Sequence, residues 1–309
     1  MSLPLLVLTG ETASGKKQVG LAAARAIGAE VIGMDSIKVY RGLSVGAAAA
    51  SPDQVSGVRL HVVGIAPPDV PFSTGRWVDE AKKAVASIES RGARVAFLGG
   101  TSLYLRALIR GFFDGPPAQP EIRARLEAEA ARVGIGPLHR RLAETDPDAA
   151  SRIFPNDLRR ICRALEVIEV TGRPITALQE ENTKRPFDRP FRVVGLRLSR
   201  ETLFARIEAR VDRMLAEGLI DEVRRLLERD ALRGEAAGAI GYREIVKHLR
   251  GESTLAEARE SIVTHTRALA RKQRKWYPRF PEITWIDRGP ETPTDELVEK
   301  TLQEWTRAE

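Results

Sequence analysis

The feature that most constrains the fold is a phosphate-loop signature near the N-terminus. Gly10 to Gln18 reads GETASGKKQ, between the apolar run LLVL and the helix-forming run QVGLAAARAI. Gly10, Gly15 and Lys16 match the pattern G-x-x-x-x-G-K, in which backbone N–H groups at a helix N-terminus bind phosphate oxygens and the lysine adds positive charge. A strand, a glycine loop and a helix in this order predict the first βα unit of an α/β domain. The loop does not specify whether the phosphates belong to ATP or to another diphosphate.

One position of this loop departs from the pattern. Where Ser or Thr provides a hydroxyl for Mg²⁺, the chain has Lys17. Lys17 either pairs with Glu11 in the empty loop, binds a diphosphate directly, or points into solvent. The predicted diphosphate or nucleotide site consists of Gly10, Glu11, Thr12, Ala13, Ser14, Gly15, Lys16 and Lys17.

Two further strand-like runs end in polar residues. EVIGM precedes Asp35, and RVAFLGG precedes Thr101, with helical patterns between the runs. This alternation predicts a parallel sheet, whose ligands bind beyond the carboxyl ends of the strands, so the phosphate loop, Asp35 and Thr101 are expected at one edge. From the residues alone, Asp35 is a Mg²⁺ ligand, a general base or a helix N-cap, and Thr101 is equally consistent with an N-cap.

The middle of the chain has a different residue pattern from the strand-like and helical runs before it. DGPPAQP, beginning at Asp114, and KRPFDRP are breaker-rich junctions that enclose charged helical segments. We predict an inserted helical domain over residues 115–186. Residues 1–114 and 187–309 form the α/β core, which includes the strand-like runs FRVVGLRL and ITWID and C-terminal helices.

Composition excludes several classes of protein. No apolar run approaches the roughly 20 residues of a membrane span, and the N-terminus leads into the phosphate loop without a basic signal region, so we expect a cytoplasmic protein without membrane contact. The single cysteine, Cys162, is expected to be a buried, inert thiol, and the four histidines give no metal-ligand cluster. A formal net charge of +7 is compatible with a polyanionic partner.

Two arginine-rich stretches are candidates for contact with nucleic acid. RALARKQRKWYPR, from Arg267 to Arg279, has six basic residues and no acidic one, with Trp276 and Tyr277 among them. It is either a helix that follows phosphates and stacks bases, or a solvated basic face with two core aromatics. The arginines of RRICR, at Arg159 to Arg163, are equally consistent with an exposed helix face.

Seven segments together resemble the tRNA dimethylallyltransferase family. They are GETASGK, DSIKVYRGL, PFS, LGGTSLYLRAL, PNDLRRICRALEV, RIEARVDRML and AIGYREI, in the order seen in that family and over nearly the whole chain. The resemblance implies a phosphate-loop α/β core with a helical insertion. It also implies transfer of a dimethylallyl group from dimethylallyl diphosphate to N6 of adenosine 37, beside the anticodon of tRNA.

The resemblance also implies residue roles. Asp35 accepts the proton of the attacking amine, Thr101 orients the amine or its nucleotide, and Arg210 stabilises the departing diphosphate. The family further implies a Mg²⁺ cofactor, although no metal ligand is assigned here, and we expect a monomer. The predicted contacts with the tRNA anticodon stem-loop are Asp35, Ser36, Ile37, Lys38, Thr101, Arg123, Arg159, Arg160, Ile161, Cys162, Arg163, Ile240, Gly241, Tyr242 and Arg243.

Departures from the family pattern leave alternatives open. Glu11 stands where the family has Pro, Lys17 where it has Ser or Thr, and Lys38 where it has Gln. The segment GAAAASP, from Gly46 to Pro52, stands where the family has GTAKP. Either the charges are redistributed or activity is weakened in a protein that still binds tRNA. A small-molecule kinase and a prenyltransferase of free adenine nucleotides are the other candidates; a kinase would consume ATP, and the long insertion favours the larger RNA substrate.

Overall fold

The computed structural model describes residues 3–49, 55–113 and 115–307. Residues 50–52, part of the segment that departs from the family pattern, and the junction residue Asp114 lie outside the described residues. The chain divides into two compact units: Met1–Ile109 with Phe187–Glu309, and Arg110–Pro186. The insertion expected at residues 115–186 falls within the second unit.

A parallel sheet of six strands organises the larger unit. Its strand order is β3-β2-β4-β1-β7-β8, and Val7 at its centre lies opposite Phe97 of β4 and Val193 of β7. The strands are β1 Leu5–Gly10, β2 Ala29–Met34, β3 Leu60–His61, β4 Arg94–Gly99, β7 Phe191–Leu198 and β8 Ile283–Arg288. All neighbouring pairs are parallel, so the carboxyl ends of the strands share one edge. The predicted α/β class and the five strand-like runs are confirmed.

Burial explains why these runs form central strands. All six residues of β1 are buried, as expected for a strand whose two faces are both covered by other elements. Trp305 donates its indole N–H to the carbonyl of Val7 at 3.3 Å, and Trp77 donates to the carbonyl of Gly33 at 2.9 Å. The helices that carry these tryptophans are therefore fixed to the sheet by hydrogen bonds as well as by apolar contact.

The helices of the larger unit connect and cover the strands. They are α1 Lys16–Ala26, α2 Thr74–Glu89, α3 Ser102–Arg110, α9 Arg200–Ala216, α10 Leu219–Glu228, α11 Gly234–Ala237, α12 Tyr242–Leu249, α13 Leu255–Trp276 and α14 Thr294–Thr306. A short 3₁₀ helix, Tyr277–Arg279, follows α13. No helix among the described residues is long and apolar enough to cross a membrane.

The smaller unit has a helical core of its own. Its helices are α4 Pro120–Val133, α5 Ile135–Thr145, α6 Pro147–Arg152, α7 Leu158–Thr171 and α8 Ile175–Asn182, with a two-stranded antiparallel ribbon of β5 Phe112–Phe113 and β6 Thr183–Lys184. The buried carboxylate of Asp146 caps α6 through the N–H of Ala149 and also accepts two hydrogen bonds from Thr176. Cys162 is a free thiol in this core, which confirms its predicted burial.

Candidate active site

The phosphate loop joins β1 to α1 through a backbone that requires glycine. Gly10 has a φ of 147°, and a Cβ atom there would lie 2.7 Å from the carbonyl oxygen of Leu196. Gly15, at φ 92°, precedes the first residue of α1 and provides no side-chain cap. The first N–H groups of α1 are therefore free to bind an anion, and the helix dipole favours negative charge there.

Two consecutive lysines begin α1 and point to different oxygen atoms. The Nζ atom of Lys16 donates to the carbonyl of Glu11 at 3.0 Å, and that of Lys17 donates to the carbonyls of Ala48 and Ala49 at 3.3 and 3.0 Å. Burial, followed by the nearby ammonium of Lys38, lowers the pKa of Lys16 to about 7, and the same two causes lower that of Lys17 to about 8. Neither ammonium group donates to a carboxylate in the described part of the chain, and the carboxylates of Asp35 and Glu11 offset only part of the shift of Lys16.

Glu11 does not pair with Lys17, so that prediction is wrong. The carboxylate of Glu11 is almost completely buried and forms a two-point ion pair with Arg274, whose Nη2 atom lies 2.9 Å from Oε2. The same Nη2 atom donates to the carbonyl of Leu198 at 2.9 Å. Since these residues lie 263 positions apart, Glu11 attaches the phosphate loop to α13 and to the end of β7.

Gln273, beside Arg274, is a second link to the loop. Its Oε1 atom accepts the backbone N–H of Thr12 at 2.8 Å, and its Nε2 atom donates to the carbonyl of Gly100 at 2.7 Å. One buried amide thus connects the phosphate loop to the loop after β4. The sequence contained no signal for this role, because the two contacts come from the fold alone.

Asp35 and Thr101 lie at the carboxyl ends of the neighbouring strands β2 and β4. Oδ1 of Asp35 accepts the N–H groups of Ile37 and Lys38 at 3.0 and 3.2 Å, so the predicted capping role is present in the form of a turn. Burial alone would raise the pKa of Asp35 and is the largest single influence, but Lys38 and the two N–H groups together hold it below its usual value. The hydroxyl of Thr101 accepts the N–H of Ser36 at 3.0 Å. Asp35 is therefore an ionised carboxylate in a fixed orientation.

Arginines from α9 and β8 surround the other side of the loop. Arg210 donates to the hydroxyl of Thr12 at 2.9 Å, Arg206 to the carbonyl of Ala13 at 2.9 Å, and Arg288 to the carbonyl of Ser14 at 3.2 Å. Their partners are neutral oxygens. In the sequence, the spacing of Arg206 and Arg210 on one helix face was a signal for a shared role. The position of Arg288 at the carboxyl end of a strand could have indicated its place near the loop.

Asp35 and the lysines and arginines of the loop region line one cavity of about 450 Å³ at the carboxyl edge of the sheet. Glu11, Thr101 and Gln273 are not among its lining residues. Asp35 is the only carboxylate that lines it in the described part of the chain. Its cationic lining residues are Lys16, Lys17, Lys38, Arg206, Arg210, Arg213 and Arg288. Such a site can bind a multiply charged anion, stabilise negative charge that develops on a leaving group, and take up one proton at Asp35.

The chain matches the family model described as IPP transferase over residues 38–280. This chain belongs to the tRNA dimethylallyltransferase family. Among similar relatives, the tRNA dimethylallyltransferase of Geobacter metallireducens is 45% identical over 92% of this chain and 92% of its own. That of Symbiobacterium thermophilum is 43% identical over 99% of this chain and 97% of its own.

Solved structures of this family share the fold over most of the chain. The full-length tRNA isopentenylpyrophosphate transferase of Bacillus halodurans is 33% identical, with a TM-score of 0.70 and 99% of both chains covered. A eukaryotic dimethylallyltransferase described as acting on tRNA is 26% identical, with a TM-score of 0.77, covering 93% of this chain and 74% of its own.

In this family member, Tyr242 has a structural role in place of the predicted contact with tRNA. Its side chain is completely buried, and its hydroxyl donates to Glu222 at 2.7 Å. Glu222 also accepts the N–H groups of residues 44–46 at 2.8 to 3.1 Å, which fixes the segment that leads to Ala48 and Ala49. Burial raises the pKa of the Tyr242 hydroxyl. The neighbouring Ile240 and Arg243 are half-buried, and Gly241 begins α12.

The predicted tRNA contacts of the helical unit divide into two groups. Ile161 and Cys162 are in its core, so their side chains cannot contact RNA and that prediction is corrected. Arg123 and Arg163 bind the buried carboxylate of Glu166 at distances from 2.7 to 2.9 Å. Burial would raise the pKa of Glu166, but these guanidinium groups hold it below its usual value.

Arg159 and Arg160, in the same run, are exposed at the start of α7. Arg160 is near Asp157, which caps this helix. Of the five residues in the run RRICR, these two present side chains to solvent most fully.

The basic C-terminal stretch combines the two alternatives drawn from its sequence. Tyr277 is buried, with its ring centroid 5.1 Å from that of Trp285, so it belongs to the core and stacks no base. Arg267 pairs with Glu208, and Arg274 with Glu11. Arg271, Lys272 and Lys275 are exposed on α13.

Proposed function

We propose that this chain is a tRNA dimethylallyltransferase that modifies N6 of adenosine 37 with dimethylallyl diphosphate as donor. The observation that carries the proposal is the cavity in which an ionised carboxylate, Asp35, faces the phosphate loop and a set of cationic side chains. A diphosphate leaving group and an amine that must lose a proton need these two kinds of group together. The family membership of the chain supports the same reaction.

In the proposed reaction, the N6 atom of adenine attacks C1 of the dimethylallyl group. The new C–N bond forms as the C1–O bond to the diphosphate breaks, and the bonding electrons leave with the diphosphate. Asp35 accepts the proton that N6 loses, so the products are N6-dimethylallyladenosine, diphosphate and one proton. Thr101, whose hydroxyl is fixed by the N–H of Ser36, orients the amine.

Stabilisation of the leaving group is assigned to the phosphate loop and its cations. The free N–H groups at the start of α1 and the ammonium of Lys16 bind the diphosphate oxygens. Arg210, held toward the loop by its hydrogen bond to Thr12, neutralises the charge that develops as the C–O bond breaks. These donors are in place before the substrate binds, so little reorganisation is needed during the reaction.

The tRNA is proposed to present an extruded adenosine, because a base stacked in the anticodon loop cannot reach a cavity inside the enzyme. Candidate contact residues that are not buried are Ser36, Ile37, Lys38, Thr101, Arg159, Arg160, Ile240 and Arg243. Activity on tRNA would place the enzyme in the cytoplasm, and the monomeric state stays a prediction.

The test is incubation of the purified chain with dimethylallyl diphosphate and an unmodified tRNA that contains A36-A37-A38, followed by mass analysis of the nucleosides. N6-dimethylallyladenosine is expected in this reaction and is not expected when AMP replaces the tRNA. Consumption of ATP without prenylation would identify a kinase instead. Tight tRNA binding without any product would identify an inactive tRNA-binding protein.

A further inference from the structure

An ammonium group occupies the position where a phosphate loop normally provides a hydroxyl for magnesium. Lys17 is the second residue of α1, lines the cavity, and donates to the carbonyls of Ala48 and Ala49. Mg²⁺ would need oxygen ligands of the same kind, in near-octahedral geometry. The carbonyls that lie nearest to this position are therefore already in use by a cation.

The remaining oxygen atoms around the loop do not complete a magnesium site. The hydroxyl of Thr12 accepts a hydrogen bond from Arg210. The hydroxyl of Ser14 is completely buried and is not part of the cavity lining. Asp35 is the one carboxylate of the cavity within the described residues, and its Oδ1 atom is bound by two N–H groups. This donor set does not fit the Mg²⁺ ion that family membership leads one to expect.

The charge of the cavity favours an anion and opposes a divalent cation. Among the described residues, seven cationic side chains and one carboxylate line it. Five of these cations donate to neutral oxygens around the loop. The nearby carboxylates of Asp35 and Glu11 offset only part of the positive charge. A diphosphate would supply the missing negative charge, whereas Mg²⁺ would add to a positive potential in a poorly hydrated site.

We propose that Lys17 replaces the magnesium ion, so that this chain binds the donor's diphosphate through ammonium and guanidinium groups and without a divalent metal. The identity of the donor rests on the proposed function, but the binding of a diphosphate group does not. Lys16 and Lys17 act from the start of α1, and Lys38 and Arg210 line the same cavity. The segment that holds Lys17 is itself fixed by Glu222, which keeps the ammonium beside the loop.

The acid–base properties of Lys17 agree with this role. Burial and the neighbouring cations lower its pKa to about 8, which indicates that its charge is poorly compensated in the empty cavity. A bound diphosphate would provide that compensation and return the pKa toward its usual range. Binding of the anion is then accompanied by uptake of protons above neutral pH.

The first experiment measures binding of inorganic diphosphate to the unaltered protein by calorimetry, once in EDTA and once in excess Mg²⁺. Because Mg²⁺ complexes diphosphate in solution and lowers its negative charge, binding in Mg²⁺ is expected to be weaker than in EDTA or equal to it within about threefold. Binding that is more than about tenfold tighter in Mg²⁺ would overturn the proposal. Because inorganic diphosphate carries no prenyl group, this result is independent of whether the protein modifies tRNA.

The second experiment restores the hydroxyl with Lys17→Thr. In EDTA, this variant is expected to bind inorganic diphosphate about 10- to 100-fold more weakly than the unaltered protein, as for the loss of one charge-assisted hydrogen bond, and Mg²⁺ is expected to recover most of the loss. Lys82→Thr, an exposed lysine on α2, is the matched control and should change neither value.

Identical Mg²⁺ titrations for Lys17→Thr and the unaltered protein would overturn the proposal. Thermal unfolding without ligand shows whether the variant is folded. Should it fail to fold, the comparison of EDTA with Mg²⁺ in the unaltered protein decides the question by itself.

Discussion

The phosphate-loop cavity and the core of the helical unit use the same charged residues in opposite ways. In the described part of the cavity, seven cationic side chains are accompanied by one carboxylate, and most of them bind neutral oxygens. In the helical unit, Arg123 and Arg163 converge on Glu166, a completely buried carboxylate that also accepts the N–H of Gln119.

This difference separates a binding site from a structural contact. A buried carboxylate that accepts four hydrogen bonds from three residues is satisfied within the fold and needs nothing more. In the cavity, burial and then the nearby ammonium of Lys38 lower the pKa of Lys16, and a bound anion would stabilise the charged form. Charged side chains without a partner of opposite charge in the fold are therefore a better indicator of a binding site than charged side chains that are paired within it.

The comparison is tested most strongly at Asp35, the one carboxylate that the described residues contribute to the cavity. Asp35→Asn keeps an oxygen for the N–H groups of Ile37 and Lys38 but removes the base, so the transfer rate is expected to fall by about two to four orders of magnitude. Single-turnover kinetics measures the rate, and a tRNA-binding assay serves as the control, with little change expected. A rate within tenfold of the unaltered enzyme would mean that another group accepts the proton.

Glu166→Gln tests the structural half of the comparison. Loss of the negative charge leaves Arg123 and Arg163 without their shared partner, and the free energy of unfolding is expected to fall by about 2 kcal/mol, less than for a fully buried pair because both guanidinium groups remain partly exposed. Denaturant unfolding measures the loss. The affinity for inorganic diphosphate should be unchanged. A large change in this affinity would mean that Glu166 contributes to ligand binding and not only to stability.

The exposed cations of α13 form a third group, which is neither paired internally nor inside the cavity. Replacement of Arg271, Lys272 and Lys275 by Gln is expected to weaken tRNA binding by about tenfold at low salt and to flatten its salt dependence, because fewer counterions are released. Diphosphate binding should be unaffected. Replacement of the exposed Lys82 and Lys83 by Gln is the control. If it weakens tRNA binding as much as the α13 variant does, α13 contributes only to the overall positive charge of the protein.

The pH dependence of diphosphate binding sharpens the description of the cavity. The pKa of Lys16 in the empty site is about 7, so this ammonium is charged below pH 7 and largely neutral above pH 8. Affinity is therefore expected to fall about fivefold from pH 7 to pH 8, since the neutral form must first take up a proton. Calorimetry in buffers of different ionisation enthalpy should detect this uptake. A flat profile would show that Lys16 remains charged throughout.

The smallest expected effect concerns Gln273, which positions the phosphate loop without facing the ligand. Gln273→Leu removes the hydrogen bonds to Thr12 and Gly100, and diphosphate affinity is expected to fall about threefold as the loop becomes less ordered. Gln273→Glu is the informative companion, because it keeps the acceptor for the N–H of Thr12 but loses the donor to Gly100. If both variants bind as tightly as the unaltered protein, the loop is fixed by Glu11 and Arg274 alone.

Much of the fold could be predicted from local patterns. The glycine loop after LLVL, the polar residues after EVIGM and RVAFLGG, and the breaker-rich junctions are short-range signals, and each corresponds to an element of the structure. The same patterns placed Asp35 and Thr101 at one edge of the sheet, because parallel strands share the direction of their carboxyl ends. Resemblance over several segments then supplied roles that no single residue could establish.

By itself, then, the sequence determined the α/β class and the family, and it predicted the phosphate loop and the helical insertion. Tertiary structure alone decided which charges are neutralised: Glu11 binds Arg274 and not Lys17, Tyr242 and Glu222 fix the segment beside Lys17, and Arg123 belongs to Glu166. The physical reason is range. Periodicity and turn chemistry act over a few residues, whereas an ion pair depends on which side chains the completed fold brings within about 4 Å and removes from water.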